Sequence, residues 1–271
     1  EGRDLLFVTL GPITGRALEV ADAFEARGWS VGVLNARFVK PLDGALIEEE
    51  LGWGCSGIGT SIACNGLATA PLILGGTEEL KHRYLTRLTE EPRLASFCLT
   101  EPDAGSDVSG MKTNAVRKGD KWVINGSKCF ITNGGYADFF TVYAKTDKEK
   151  GHRGISCFLV PKDDTVTVDK KEDKMGQRAS NTATITFSDT EVPAGNLLGE
   201  ENHGFKLAMM TLDRTRPGVA AMAVGIARAA LEFASDYSKE RVQFGVPIAM
   251  HQAVAFMIAD MATKVEASRL L

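Results

Sequence analysis

A loop rich in backbone amides and hydroxyls is the segment of this sequence best suited to hold a polar ligand. It covers residues 98–110, Cys-Leu-Thr-Glu-Pro-Asp-Ala-Gly-Ser-Asp-Val-Ser-Gly, where an apolar strand passes into a Pro- and Gly-containing turn. Exposed amides and hydroxyls of this kind can bind a polar heteroaromatic ring or phosphates. Composition alone favours an ordinary surface turn, so the loop does not identify a function by itself.

Other kinds of reactive site find little support. The five cysteines contain no C-x-x-C pair, and the four histidines form no H-E-x-x-H motif, so we expect buried, reduced thiols and no metal site. The sequence also lacks the G-x-S-x-G motif of serine hydrolases.

Residues 52–57, Gly-Trp-Gly-Cys-Ser-Gly, match the G-x-G-x-x-G pattern of dinucleotide-binding folds. That function requires a strand before the pattern and an acidic residue about 20 positions after it. Here residues 46–51 have a helical composition, and no acidic strand end follows. The pattern is better explained as a glycine-rich turn between helices.

The predicted secondary structure changes from one region of the chain to the next. Residues 4–11 and 31–38 are apolar runs typical of parallel strands, and they flank a helix that ends at Gly28, which predicts a β-α-β unit. Residues 45–51 and 59–90 carry helical spacing, with breaks expected near Pro71 and Gly75-Gly76.

A two-residue period follows over residues 96–200 and predicts a β-barrel or sandwich. Gly119-Asp120 and Asn125-Gly126 are expected to form its turns, the second as a hairpin turn before Cys129. From Gly204 the period returns to helical, with a kink or a local break expected at Pro217. The last helix, residues 251–271, has an apolar stripe that needs partners, which suggests an incomplete bundle.

Composition excludes several classes of protein. The 271 residues are 44% hydrophobic and 24% charged, which is typical of a soluble globular protein, and the net charge of −4 argues against general nucleic-acid binding. We expect no membrane span and no signal peptide, hence a soluble, intracellular protein. The chain does not begin with Met, so we expect a fragment.

Five motifs in order give this sequence a family resemblance. Residues 98–110 resemble the signature of the acyl-CoA dehydrogenases at all thirteen positions. Four more segments of this sequence resemble motifs of that family. They are Phe-Ile-Thr-Asn-Gly at 130–134, Met-Gly-Gln-Arg at 175–178, Asp-Arg-Thr-Arg-Pro at 213–217, and Arg-Val-Gln-Phe-Gly at 241–245 with His-Gln at 251–252. The resemblance covers about residues 44–271 and is closest to the medium-chain and short-chain enzymes.

The resemblance implies an FAD-dependent oxidoreductase that oxidises fatty acyl-CoA at the α,β bond. In that family a carboxylate removes the α-proton and flavin N5 accepts the β-hydride. Hydrogen bonds to the thioester carbonyl acidify the α-proton. Electron-transfer flavoprotein is the implied electron acceptor, and relatives are usually homotetramers. The resemblance also implies the bacterial cytoplasm or the mitochondrial matrix as the compartment.

The same resemblance assigns roles to residues by position. Residues implied to contact FAD are Phe97, Cys98, Leu99, Thr100, Gly105, Ser106, Phe130, Ile131, Thr132, Arg241, Gln243, Phe244, His251 and Gln252. Residues implied to contact the CoA substrate are Ser106, Asp213 and Arg216. Leu99 and Thr100 would hydrogen-bond the edge of the flavin ring, and Thr132 would lie near N5. Arg241 would reach the flavin pyrophosphate of a neighbouring subunit. Many relatives have Trp at the position of Phe130.

In the acyl-CoA dehydrogenase family the catalytic base is a glutamate, which occupies one of two alternative sequence positions. Some members carry the catalytic glutamate at the position of Thr215, which has no carboxylate. Other members carry it beyond the last helix seen here. We therefore expect no catalytic Glu within residues 1–271, and impaired turnover.

The first 43 residues resemble a different family. Phe-Val-Thr-Leu-Gly at 7–11 and Asn-Ala-Arg-Phe-Val-Lys-Pro-Leu-Asp at 35–43 are similar to the carboxy-terminal domain of transketolase-type enzymes, closest to 1-deoxyxylulose-5-phosphate synthase. That domain does not hold their thiamine diphosphate. The chain then resembles a fusion of two fragments.

The implied architecture is a multi-domain α and β protein. It comprises a β-α-β fragment (1–43), a partial N-terminal helical domain (44–95), a central β-barrel domain (96–200) and the first helices of a C-terminal bundle (201–271). We expect exposed apolar surface on the β-α-β unit and on the last two helices.

Two functions from different classes remain open on the sequence. The first is an acyl-CoA dehydrogenase with impaired turnover. The second is a non-catalytic protein that binds flavin or acyl-CoA, or that docks on an intact relative. A thiamine-diphosphate enzyme is disfavoured because the sequence has no motif for that cofactor.

Overall fold

The computed structural model describes residues 5–9, 13–35 and 44–271. The chain divides into two units, one formed by residues 1–56 with 218–271 and the other by residues 57–217. Their elements confirm the predicted class of α and β structure, with helical regions, a central mixed sheet and a helical C-terminal part.

A β-α-β element opens the first unit, as predicted. Strands β1 (Leu5–Thr9) and β2 (Val31–Asn35) pair in parallel, and helix α1 (Ile13–Glu25) connects them. Gly28 follows α1 with φ +86° and donates its N–H to Glu25 O at 2.9 Å. Glycine adopts this left-handed conformation without steric cost, which explains the helix end. Predicted strand residues 4, 10–11 and 36–38 lie outside the described residues.

Four further α-helices lie within residues 44–271. They are α2 (Gly44–Gly75), α3 (Glu78–Glu90), α4 (Gly204–Glu240) and α5 (Gln252–Arg269). The expected break near Pro71 is wrong, because α2 includes this proline, and α4 likewise continues through Pro217 without a local break. Instead α2 is kinked at Cys55, within the glycine pattern of residues 52–57, and it ends at Gly75 before Thr77, whose hydroxyl caps α3.

The second unit contains one eight-stranded sheet. Its strands are β3 (Ala95–Cys98), β4 (Asn114–Lys118), β5 (Lys121–Thr132), β6 (Phe139–Lys145), β7 (Ile155–Pro161), β8 (Val166–Lys171), β9 (Thr182–Pro193) and β10 (Leu197–Leu198). The order is β10-β7-β6-β4-β5-β9-β8, and β3 pairs with β6 in parallel. The Gly119-Asp120 turn joins β4 to β5 as predicted.

The hairpin turn predicted at Asn125-Gly126 is wrong. Strand β5 runs through both residues, and its register against β9 shifts between Ile124 and Gly126. Gly126 has φ +150°, and a Cβ there would lie 2.4 Å from the Thr113 hydroxyl. The Asn-Gly pair therefore forms a bulge where the backbone passes close to Thr113.

Two hydrophobic clusters cover the two faces of the sheet. Along β6, Phe139 and Tyr143 belong to one cluster, while Phe140, Val142 and Ala144 belong to the other. This alternation follows from the two-residue period of a strand. The first cluster also includes Ala68 and Leu72 of α2 and Ala208 of α4.

Two described helices, α2 and α4, are long and apolar enough to cross a membrane by length and composition. This differs from the expectation that no run is long enough. The core helix of a globular domain passes the same test, and Ala68 and Leu72 of α2 are fully buried in such a core.

The expected exposed apolar side chains are present among the described residues of the first unit. Trp29, which follows α1, is 50% exposed, Phe233 of α4 is 76% exposed and Phe256 of α5 is 61% exposed.

An ion-pair cluster within the first unit joins α2 to α4 and α5. Glu49 is buried, and its carboxylate accepts hydrogen bonds from Arg269 Nη2 at 2.6 Å and Arg228 Nη1 at 2.8 Å. Arg228 also binds Glu50 through two hydrogen bonds of 2.8 Å. The hydrogen bond from Arg269, with the charges of both arginines, holds the pKa of Glu49 below its ordinary value.

We predict that Glu49→Gln lowers the free energy of unfolding by about 2 kcal/mol at pH 7, because two charge-assisted hydrogen bonds weaken. A pKa lowered by folding stabilises the protein above the unfolded value of about 4.3, and this stabilisation disappears as pH falls through the folded pKa. The difference between wild type and variant should therefore shrink as pH falls below about 4. Urea unfolding monitored by circular dichroism at pH 7 and pH 3.5 measures it.

Glu266→Gln is the matched control, since Glu266 binds the same Arg269 at 2.7 Å but its side chain is 65% exposed. It should cost less than about 0.5 kcal/mol. Equal losses for the two variants at pH 7 would contradict the importance of burial at Glu49.

Candidate functional site

The loop that follows β3 forms one wall of a cavity in the second unit. Cys98, the last residue of β3, is fully buried in the sheet core, and the chain then leaves the sheet at Leu99 and Thr100. Glu101 and Ala104 exchange two backbone hydrogen bonds of 3.1 Å, which close a tight turn. Gly105 and Ser106 come directly after this turn. The loop thus presents its backbone and hydroxyl groups on one side of the sheet.

The end of β5 forms the second wall. The register of β5 against β9 shifts between Lys128 and Ile131, and Phe130 lies in this bulge with φ +58°. Its side chain is 66% exposed, whereas Ile131 is buried. A bulge of this kind redirects a side chain that a regular strand would turn to the other face. Thr132 and Asn133 follow, and Asn133 donates its side-chain N–H to Ser61 O at 2.8 Å.

Two helical segments form the third wall. Cys64 and Leu67 project from α2. The residues from α4 are Phe205, Met209, Leu212 and Arg216. Their spacing of four, three and four places them on one face of that helix. Burial raises the pKa of the Cys64 thiol to about 12, so this wall carries no thiolate at neutral pH.

These walls enclose a cavity of about 470 Å³, which we call the β5 cavity. Its full lining is Cys64, Leu67, Phe97, Leu99, Thr100, Gly105, Ser106, Val108, Phe130, Ile131, Thr132, Phe205, Met209, Leu212 and Arg216. Most of this surface is apolar or aromatic, and the hydroxyls of Thr100, Ser106 and Thr132 add a few polar contacts. Small-molecule and cofactor sites have this size and this balance.

Most of the residues implied by the family motifs within the second unit meet in the β5 cavity. They are Phe97, Leu99, Thr100, Gly105, Ser106, Phe130, Ile131, Thr132 and Arg216. Cys98 does not line the cavity, because it is the last residue of the strand and its side chain turns into the core. Asp213 is also not in the lining; its carboxylate lies 3.3 Å from Arg216 Nη1 on the exposed side of α4.

The remaining implied residues lie in the first unit and form a local cluster. Strands β11 (Val242–Gln243) and β12 (Val246–Pro247) make a hairpin with Phe244 at its tip, 95% exposed and with φ +56°. The ring of His251 packs against Phe244, with centroids 5.8 Å apart, and His251 Nε2 lies 3.3 Å from Gln243 O. Arg241 and Gln252, at the two ends of this segment, are exposed. Among the described residues, Arg241 has no ion-pair partner.

Sequence motifs do not reveal the helical wall. Cys64, Leu67, Phe205, Met209 and Leu212 are apolar residues at helical spacing, which is the same signal that core residues give. Only the packing of the helices against the loop distinguishes a cavity wall from a core contact.

Models of two protein families match this chain. The acyl-CoA dehydrogenase models match in three parts, the N-terminal domain at residues 35–92, the middle domain at 96–190 and the C-terminal domain at 202–271. The transketolase C-terminal domain model matches residues 1–52.

Individual relatives differ in the acyl group that their names carry. A probable medium-chain specific acyl-CoA dehydrogenase of Caenorhabditis briggsae is 47% identical over 89% of this chain and 62% of its own length. A cyclohex-1-ene-1-carbonyl-CoA dehydrogenase of Geobacter metallireducens is 52% identical over 84% of this chain and 60% of its own length. The solved butyryl-CoA dehydrogenase of Megasphaera elsdenii is 48% identical, has a TM-score of 0.81, and shares 83% of this chain and 60% of its own. The chain spans about three fifths of the length of these relatives.

We predict that Phe130→Ala weakens FAD binding about tenfold, because it removes an aromatic wall of the β5 cavity, while the free energy of unfolding changes by less than about 1 kcal/mol. Fluorescence titration of FAD and urea unfolding measure the two effects. Tyr136→Ala is the matched control, since Tyr136 is 67% exposed, lies six residues further on and does not line the cavity. Equal loss of FAD affinity in both variants would remove Phe130 from the site.

Proposed function

Because this chain belongs to the acyl-CoA dehydrogenase family, we propose that it binds FAD and acyl-CoA at the β5 cavity, for oxidation of the acyl group between its α and β carbons. The observation that carries the proposal is the composition of this cavity. An exposed aromatic ring, apolar walls and three hydroxyls meet there on residues of two separate family motifs, at 98–110 and 130–134. Oxidation of a C–C bond needs a hydride acceptor, and the side chains that line the cavity supply none.

The lining fits an isoalloxazine ring. Such a ring is flat and apolar on its faces and carries hydrogen-bonding atoms along its edge. Phe130 and Ile131 would cover a face, and the amides and hydroxyl of Leu99 and Thr100 would bind the edge. FAD would supply the hydride acceptor when bound, and we assign Thr132 to contact with its flavin ring.

The polar end of the cavity suits the CoA part of the substrate. Ser106 offers a hydroxyl, and Arg216 brings a guanidinium to the lining while Asp213 pairs with it at 3.3 Å. Guanidinium groups bind phosphate through paired hydrogen bonds. We therefore assign Ser106, Asp213 and Arg216 to recognition of the CoA moiety.

Thr215 limits what this chain can do at the α carbon. Its hydroxyl donates to Thr211 O at 3.1 Å, within the helix, and no carboxylate stands at this position. A hydroxyl at neutral pH is too weak a base to remove an α-proton. Proton removal therefore requires a carboxylate from a position other than 215.

The first unit contributes the remaining assignments. Arg241, Gln243, Phe244, His251 and Gln252 form a segment with an exposed aromatic tip and an arginine, which suits contact with the pyrophosphate of an FAD held by a second subunit. We propose a homo-oligomer on this basis. Electron-transfer flavoprotein is the acceptor proposed from the family, and a bacterial cytoplasm or mitochondrial matrix is the proposed compartment.

A second candidate function is favoured by Thr215 itself. A chain that keeps the lining of the β5 cavity but has no base at position 215 could bind flavin and acyl-CoA without turnover. The two functions differ in one observable, which is reduction of bound flavin by substrate.

The deciding experiment is a visible spectrum of the purified chain. The protein is loaded with FAD, freed of excess flavin, and titrated with butyryl-CoA and octanoyl-CoA without oxygen. We expect a retained flavin band near its usual wavelength and a change of its shape on acyl-CoA binding, with slow bleaching. Loss of all flavin on gel filtration would contradict both candidate functions, whereas rapid bleaching would contradict the non-catalytic one.

We predict that Thr215→Glu accelerates bleaching of bound flavin by acyl-CoA by about 100-fold or more, because it supplies a general base beside cavity residues Leu212 and Arg216. Stopped-flow absorbance under single-turnover conditions measures the rate. The control is Thr215→Gln, which has the same length without the charge and should leave the rate unchanged. Equal rates for both variants would show that position 215 does not reach the α carbon.

A further inference from the structure

A buried ion pair lies behind the wall of the β5 cavity without lining it. Lys128 of β5 is fully buried, and its Nζ is 2.8 Å from Glu101 Oε1, whose side chain is 5% exposed. Removing two charges from water costs several kcal/mol per ion unless further hydrogen bonds satisfy both groups. The partners of this pair therefore indicate what it does.

Lys128 holds the peptide that begins the loop. Its Nζ donates to Leu99 O at 3.0 Å, and the next residue, Cys129, donates its N–H to Thr100 O at 3.0 Å. Strand β5 thus fixes two consecutive carbonyls of the cavity wall. Because a trans peptide carries its C=O and N–H in opposite directions, the Thr100 N–H points away from Lys128.

Glu101 holds the two ends of the loop together. Its carboxylate accepts the backbone N–H of Lys112 at 2.6 Å and of Thr113 at 3.1 Å, in addition to the Lys128 ammonium. These bonds close the segment 101–113 from the inside. Cavity residues Gly105 and Ser106 lie within that closed segment.

We propose that Lys128 and Glu101 are positioning residues for the flavin site, which orient the Leu99–Thr100 peptide and close the loop that carries Gly105 and Ser106. This inference rests on the proposed function, since it assigns FAD to the β5 cavity. Neither side chain touches the ligand; each acts through the backbone of the loop.

The two charges depend on each other. Burial lowers the pKa of Lys128, and Glu101 opposes that effect. Burial also raises the pKa of Glu101, but the Lys128 charge and the Lys112 amide oppose this effect, and the pKa of Glu101 stays below its ordinary value. Removing one partner alone leaves a buried, unpaired charge, and a test therefore needs the double substitution.

The test compares Lys128→Met/Glu101→Gln with Lys121→Met/Glu191→Gln. The control pair also joins β5 to another segment, at 2.5 Å, but its side chains are 46% and 56% exposed and lie outside the cavity. Three quantities are measured: the dissociation constant of FAD, the position and vibrational structure of its visible band, and hydrogen–deuterium exchange of peptides covering residues 99–113. Cooperative thermal unfolding verifies the fold.

The double variant at 101 and 128 should fold, bind FAD at least tenfold more weakly, shift the flavin band, and exchange faster than wild type over residues 99–113. The control should stay within twofold of wild type in affinity, with an unchanged band. A folded variant with wild-type affinity and band would overturn the inference. Should the double variant not fold, Lys128→Gln/Glu101→Gln, which also removes both charges but keeps a polar group at each position, is compared by the same criteria.

A failure of the proposed FAD binding can be distinguished from a failure of the positioning role. If wild type binds no FAD, the flavin assignment falls, and the loop is then judged by exchange alone. Faster exchange over residues 99–113 in the double variant than in the control would support the positioning role, and equal exchange would overturn it.

Discussion

The bulge near the end of β5 is the constraint on which the cavity depends. In a regular strand, Lys128 and Phe130 would share one face of the sheet, because side chains alternate with a period of two. The register shift between Lys128 and Ile131 breaks this relation. Lys128 and Ile131 are buried, while Phe130 takes φ +58° and faces the cavity. Because of this one extra residue, Lys128 can bind the 98–110 loop from the buried side of the strand while Phe130 lines the β5 cavity.

The positive φ of Phe130 is an energetic cost that surrounding contacts must offset. A bulky residue in the left-handed region is destabilised by about 1–2 kcal/mol. Cys129 is fixed by its hydrogen bond to Thr100, and Asn133 by its bonds to Asn181 O and Ser61 O, so both neighbours of the strained segment are held. Strain of this kind, held by neighbours on both sides, is concentrated at ligand sites in proteins.

The sequence predicts the loop and strand parts of the site much better than the helical part. Thr100, Ser106 and Thr132 belong to motifs that resemble those of a known family, and they meet in one cavity. Leu67 and Met209 have only helical spacing, which core residues share, so their position depends on tertiary packing. Asn125-Gly126 misleads for a related reason. Glycine permits both a hairpin turn and a bulge, and only the pairing of β5 with β9 decides between them.

The two family resemblances overlap in a segment that includes the start of α2, and this part of α2 packs closely against α4. The transketolase and acyl-CoA dehydrogenase models overlap over residues 35–52. Within that overlap, a Cβ on Gly52 would lie 2.2 Å from Met222 O, and a Cβ on Gly225 would lie 1.9 Å from Glu49 O. Contacts this close between α2 and α4 tolerate no side chain, and the Glu49 carboxylate is held there by Arg228 and Arg269. Glu49 and Gly52 of α2 therefore pack against α4 within a segment that both family models match.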